Sequence, residues 1–344
     1  MTVNIPSTTE PRPRSGKSAK RRFWFRTDLV VALVALVITL LVPLFVQTYW
    51  LHVLIVAYFY AILASSWSLL AGYGGQFSFG HMAFMAIGGY TSGLLGRFVN
   101  LPPLPGILLG TLAAGLAGWA IGALCLRFKA SYLALFTIAF SEILRTLIRG
   151  ETQITRGDHG LHVAPLFGEG VISRIPYYYT MLAVLVACLL FMYWLANSRV
   201  GMFLRAVRED EEAAAARGVN IVHYKVLAFV ITSMIAGLAG GFFAHYITIL
   251  TPNIMIIPQM GLVIAMAIIG GVESLISAAF GGMIIQISLE VLREFGAWRM
   301  VIFGGLLVIT LRFARNGLLA PFFQRLFGLG PRAELREEAT TDGA

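Results

Sequence analysis

The chain has 344 residues, 58% of them hydrophobic and only 12% charged, too few polar groups to clothe a water-soluble globule of this size. Its net charge of +9 comes from 26 Lys and Arg against 17 Asp and Glu, but the basic residues sit in loops and tails between long apolar runs, which speaks for a membrane topology and against nucleic-acid binding. Cys125 and Cys188 both lie inside apolar runs, which argues against a disulfide framework and against redox chemistry.

The N-terminus carries Arg12, Arg14, Lys17, Lys20, Arg21, Arg22 and Arg26 among Pro, Ser and Thr. Residues 1–27 are therefore expected to be a disordered, basic, cytoplasmic tail. Gly16-Lys17-Ser18 mimics the end of a phosphate-binding loop, but the glycine required five positions earlier is Pro11, and no strand precedes it, so the chain is predicted to have no ATPase of its own. The run from Leu29 to Val46 is too long for a signal-peptide core and lacks a small-residue cleavage site, and it reads as an uncleaved first span.

Nine further apolar runs follow: Trp50 to Leu70, Phe77 to Leu95, Leu104 to Leu126, Tyr132 to Ile148, Tyr177 to Ala196, Val226 to Leu250, Pro258 to Gly270, Leu275 to Leu292, and Trp298 to Leu311. A membrane-crossing helix needs about 20 mostly apolar residues, so residues 28–320 read as one all-α, polytopic transmembrane bundle of about eight to ten spans. The run from Pro258 is short for a crossing, and the Gly-rich run from Phe77 leaves room for a broken or re-entrant helix. Counting ten crossings gathers most Lys and Arg on the side of both ends, which predicts cytoplasmic termini, with residues 321–344 as a C-terminal tail.

Small residues recur every fourth position at Gly106, Gly110, Ala114, Gly118 and Gly122, and again at Ser233, Gly237, Gly241 and His245. Each series is expected to form one helix face that lets a neighbour approach closely. Glycine clusters at Gly72, Gly74 and Gly75 and at Gly270 and Gly271 fall in matching places of the two halves, a hint of an internal repeat with interrupted helices.

The segment Asn197 to Lys225, NSRVGMFLRAVREDEEAAAARGVNIVHYK, is the long charged stretch between spans. Glu209, Asp210, Glu211 and Glu212 precede an alanine run that ends at Arg217 and Gly218, a pattern predicting a short exposed helix with an acidic first turn, a basic last turn and a glycine stop. Read from composition alone, the stretch is a solvated connector.

Glu212, Ala213, Ala214 and, after three residues, Gly218 resemble the docking loop of importer permeases. Gly72 to Gly93, GYGGQFSFGHMAFMAIGGYTSG, is similar to the Gly-Tyr-x-Gly-Gln-x-Ser-x-Gly-His segment of the branched-chain amino acid permeases of the ATP-binding-cassette class. Thr155 to Leu161 resembles their Thr-x-Gly-x-x-Gly-Leu loop. With Ala228 to Gly241, the resemblance spans roughly Ala71 to Leu311.

That resemblance implies a bacterial inner-membrane permease that is not an enzyme and binds no cofactor, ATP being bound by partners. It implies a coupling loop over 197–225, with Glu212, Ala213, Ala214 and Gly218 docking on a cytoplasmic ATPase. The implied partners are a second permease subunit in a heterodimer, two ATPase subunits and a periplasmic substrate-binding protein. A substrate path by Gly74, Gln76, Ser78, Gly80 and His81 is implied as well. Branched-chain amino acids come first as substrate, with urea or short amides as alternatives. A charge placed at Ala214 is expected to stop uptake without preventing insertion.

The chain departs from the family pattern at Gly270-Gly271-Val272-Glu273-Ser274 and Ala278-Ala279, where Glu273 puts a carboxylate at a junction usually filled by glycine. Glu142 lies within a span, with Arg145 three residues on as an expected partner. The rival class is an ion-coupled secondary transporter working through Glu142, Glu273 or Glu290. A membrane enzyme is disfavoured, because the sequence offers no catalytic constellation and no metal-ligand spacing.

Overall fold

The computed structural model describes residues 39–125, 130–168, 173–296 and 298–313. The tails assigned to 1–27 and 321–344, and most of the first span, lie outside the described residues; residues 39–45 are helical. The helices that follow are α1 (Thr48–Ser68, continuing as a π-helical turn over Leu69–Tyr73), α2 (His81–Val99), α3 (Pro103–Cys125) and α4 (Ala130–Gly150). Next come α5 (Ile175–Ala196), the short α6 (Arg199–Glu209) and α7 (Glu211–Ala216), and α8 (Ile221–Ile247). α9 (Ile257–Gly270), α10 (Leu275–Val291) and α11 (Trp298–Phe313) complete the described chain. The protein is an all-α, multi-pass membrane protein. Its described β structure is a two-residue antiparallel pair, β1 (Leu161–His162) with β2 (Ile249–Leu250).

Five helical segments, 48–73, 103–124, 175–196, 221–247 and 275–295, are long and apolar enough to cross a membrane. Of the other described helices, α9, α11 and α4 fall short of that standard for identifiable reasons. α9 has 14 residues and α11 has 16, while α4 carries Glu142, Arg145 and Arg149. The run predicted from Val226 starts five residues earlier than its apolar stretch, at Ile221, because Asn220 caps the helix by accepting a hydrogen bond from the His223 amide (3.0 Å).

α1 is apolar on every side and is the buried helix of the bundle, with Leu63, Ala64, Trp67 and their neighbours sealed from solvent. α10 lies against it where Gly282 meets Ala61, and α5 where the Tyr58 and Tyr178 hydroxyls pair at 2.8 Å. The two small-residue series do what their spacing predicts. On α3, Gly106 and Gly110 abut Ser92 and Gly88 of α2, while Gly118 and Gly122 abut Ser233 and Phe229 of α8. On α8, Gly237 meets Ala114 and Gly241 meets Ile107. Backbones touch where side chains are missing, which is how helices associate when lipid removes the hydrophobic drive between them. The outward faces carry Leu104, Leu108, Leu112, Leu116 and Trp119 on α3 and Leu190 and Trp194 on α5, a surface suited to hydrocarbon.

Candidate functional site

Loop helices α6 and α7 sit at one end of the bundle, joined to the ends of α1, α8 and the α9–α10 junction. α6 begins at Ser198, whose hydroxyl accepts from the Val200 amide (3.2 Å), and it buries Gly201, Leu204 and Val207. Asp210 breaks the helix in extended geometry, and its Oδ1 accepts from the amides of Glu212 and Ala213 at 2.9 and 3.0 Å, starting α7. Gly218, at φ +82°, ends α7, and the Val219 amide returns to the Ala214 carbonyl (3.1 Å). The acidic run is thus divided: Glu209 closes α6, Asp210 is the cap, and Glu211 and Glu212 make the first turn of α7, with Arg217 beyond its last turn.

Of the four docking-loop residues, Glu212, Ala213 and Gly218 are exposed, whereas Ala214 is buried. A charge at Ala214 would therefore disturb the loop's own packing before it disturbed any partner; Ala213 is the open position. Glu211 pairs with Lys225 of α8 (2.6 Å), which ties α7 to the span that follows it.

Two residues of α6 reach into the bundle. Arg205 donates to the Ala196 carbonyl (2.5 Å) and lies over the Tyr73 ring, 5.1 Å from its centre. Arg208 donates to the Gly72 carbonyl and to Glu273 (3.1 Å), and pairs with Glu209 (2.5 Å). Partial burial works against its charge, but the carboxylates of Glu209 and Glu273 outweigh this and raise its pKa above the ordinary arginine value. Neither arginine stood out in the sequence, since their partners are far away along the chain.

The two glycine junctions meet here. A methyl on Gly72 would overlap the Val272 carbonyl, and Ser68 donates to that same carbonyl (2.5 Å). In the π-helical turn the amides of Gly74, Gly75 and Gln76 return to the carbonyls of Leu69, Ala71 and Leu70, which leaves the Gly72 carbonyl for Arg208. Gly75, at φ +66°, presses on the Arg208 side chain. Glu273 thus faces an arginine of the loop.

The expected path residues all fall on the interruption between α1 and α2. Gln76 is buried and donates to the Lys225 carbonyl (3.2 Å). The Ser78 hydroxyl accepts from the Gly80 amide (3.1 Å), and its carbonyl accepts from Trp67 Nε1 (2.8 Å). Gly74 lies close to the Leu70 carbonyl, and Gly80 close to the Phe84 ring. His81 differs from these: it is fully buried, and neither ring nitrogen has a partner within hydrogen-bonding geometry. The other buried histidine in the bundle, His245, is saturated, with Ser92 Oγ at 2.7 Å and the Ala164 carbonyl at 2.6 Å. An uncompensated buried imidazole is costly in a lipid-embedded fold.

At the opposite end, Thr155–Leu161 closes α4. Thr155 donates to the Ile148 carbonyl (2.6 Å), Asp158 holds Arg149 (2.6 Å), and Leu161 pairs with Leu250. Glu142 and Arg145 form an i,i+3 pair at 2.7 Å on α4, with 31% and 22% of their side chains exposed. Between α1, α5 and α8 lies a shallow aromatic groove lined by Ile55, Tyr177, Met181, Phe243 and Tyr246 among others. Its Tyr246 hydroxyl is engaged by His52 Nδ1 (2.6 Å). Among the described residues no group of three His, Cys, Asp or Glu is placed to hold a metal ion.

Residues 49–311 match the family model described as branched-chain amino acid transport system, permease component. The high-affinity branched-chain amino acid transport system permease protein LivM of Salmonella typhimurium is 29% identical over 88% of this chain and 76% of its own length. LivM of Escherichia coli is 30% identical over 76% of this chain and 67% of its own length. The corresponding LivH of Escherichia coli is 26% identical over 67% of this chain and 80% of its own.

Proposed function

The chain belongs to the branched-chain amino acid transport system permease family, and on that premise we propose that it forms the membrane path of a branched-chain amino acid importer powered by ATPases on separate subunits. The observation that carries the coupling half of this reading is α7. Its Glu212, Ala213 and Gly218 are exposed, while Asp210, Ala214 and the Lys225–Glu211 pair fix it to the bundle. Small side chains let a helix seat in a partner's groove, and the flanking charges orient it.

The rest of the assembly follows from the family. The chain resembles both LivM and LivH permeases, and it is proposed to pair with a second permease subunit, two ATPases and a substrate-binding protein at the bacterial inner membrane. Both termini then lie on the cytoplasmic side with α6 and α7. The chain itself catalyses no reaction. Movement of the ATPases displaces α7 and α6, and the bundle opens to one side at a time. His81, with Gly74, Gln76, Ser78 and Gly80 around the interruption, is proposed to border the substrate path; it is the buried polar group there that lacks a partner.

The test is purification of the intact complex from its native host in mild detergent, reconstitution into liposomes, and uptake of labelled leucine. ATP-dependent uptake, with hydrolysis stimulated by a leucine-loaded binding protein, is expected. Uptake driven by an ion gradient without ATP would overturn the proposal.

A further inference from the structure

We propose that Arg208 is a positioning residue that carries loop movement to both glycine junctions at once; this rests on the importer reading above. The geometry has three parts. First, the guanidinium donates to the Gly72 carbonyl, which the π-helical turn leaves without a backbone donor. Second, the same nitrogen reaches Glu273 (3.1 Å), on the junction between α9 and α10. Third, the two junctions touch through Ser68 and the Val272 carbonyl, and Gly75 packs on the Arg208 stem.

One side chain of the exposed loop therefore holds the end of the buried helix α1 and the hinge of the α9–α10 pair. Both junctions have backbone able to turn there, with Gly75 at φ +66° and Gly271 at φ +121°. The planar guanidinium suits the task, because Glu209 holds its Nη2 (2.5 Å) and so fixes the plane in which Nη1 serves the Gly72 carbonyl and Glu273, whereas a lysine ammonium has no second nitrogen to be held. As a contribution to stability the pair counts for little, since Glu273 is 68% exposed. Its value lies in direction: a displacement of α6 pulls on both discontinuities in register. Glu273, the departure from the family pattern, supplies the second handle in this chain.

The experiment compares Arg208→Gln, Arg208→Lys, Glu273→Gln and Arg208→Gln/Glu273→Gln in the reconstituted complex, reading labelled leucine taken up per ATP hydrolysed. Arg208→Gln should lower that ratio by roughly fivefold or more, a typical size for energetic coupling between sites. Arg208→Lys should recover only part of it, and the double variant should be no worse than Arg208→Gln. Because Glu273 is exposed, Glu273→Gln decides the matter should Arg208→Gln fail to assemble: a lowered ratio supports the inference and an unchanged one overturns it. An unchanged ratio in an assembled Arg208→Gln complex overturns it as well. If the unsubstituted complex takes up leucine without consuming ATP, the importer reading itself fails, a result distinguishable from the others.

Discussion

Gly88→Ala tests the backbone-to-backbone crossing of α2, α3 and α8 most directly. A methyl at Gly88 would stand 2.5 Å from the Gly237 Cα and 2.6 Å from its carbonyl carbon. Carbon atoms prefer about 3.5–4.0 Å, so α2 and α8 must part by roughly 1 Å. The displacement cannot stay local, because Gly110 of α3 rests on the Gly88 carbonyl from the other side. Overpacking of this kind costs about 1–3 kcal/mol, or a fall in melting temperature on the order of 2–4 °C for a chain of this length. The buried thiol of Cys188 reports it: with Cys125 replaced by Ser, labelling by a fluorogenic maleimide is followed as the detergent-solubilised protein is heated. Gly261→Ala is the control, since nothing lies within 4 Å of its added methyl. If the two variants melt within about 1 °C of each other, the claim that these helices meet through their backbones is wrong.

Four other outcomes are expected. His81→Leu removes an imidazole with no hydrogen bonds, so it should raise the melting temperature, by the equivalent of about 1–3 kcal/mol, while reducing leucine uptake; a loss of stability would show that the ring is satisfied after all. Ala213→Arg should abolish co-purification of the ATPases and leave the melting temperature unchanged, whereas Asp210→Ala should cost about 1 kcal/mol of local helix stability, seen as faster hydrogen exchange at the Glu212 and Ala213 amides. Glu142→Leu alone leaves Arg145 without its partner within α4, so it should lower membrane-inserted yield more than Glu142→Leu/Arg145→Leu does; equal yields would show that the pair does not matter to insertion.

What could be read from the sequence was what depends on neighbours along the chain. The small-residue ridges of α3 and α8 were visible because helical spacing alone puts Gly106 to Gly122 and Ser233 to His245 on single faces. The Glu142–Arg145 pair was visible for the same reason. Arg208 was not, since Gly72 and Glu273 lie 136 and 65 residues away and only the fold brings them to one guanidinium. The use of Gln76 was not legible either, because the Lys225 carbonyl that takes its amide lies 149 residues away. Ala214 looked like its neighbours Ala213 and Ala215, because an alanine run has no polarity to mark its buried side.

The placement of the carboxylates also bears on the energy source. An ion-coupled transporter must let an intramembrane acid lose and regain its charge during the cycle. Glu142 is held by Arg145, and Glu290 by Arg293 and the Tyr49 hydroxyl. Neutralising Glu142 would leave Arg145 facing it without that counter-charge, at a cost that a proton carrier would meet on every turnover. Glu273, the third candidate, stands at the loop end, bound to Arg208 and 68% exposed, where it can hold the loop but cannot ferry a proton across hydrocarbon. Among the described residues, the polar group that is both buried and without a partner is His81, at the start of α2 on the interrupted segment. Each of the three carboxylates on which an ion-coupled cycle would rest is thus paired with an arginine, an arrangement that suits energy supplied from outside the membrane.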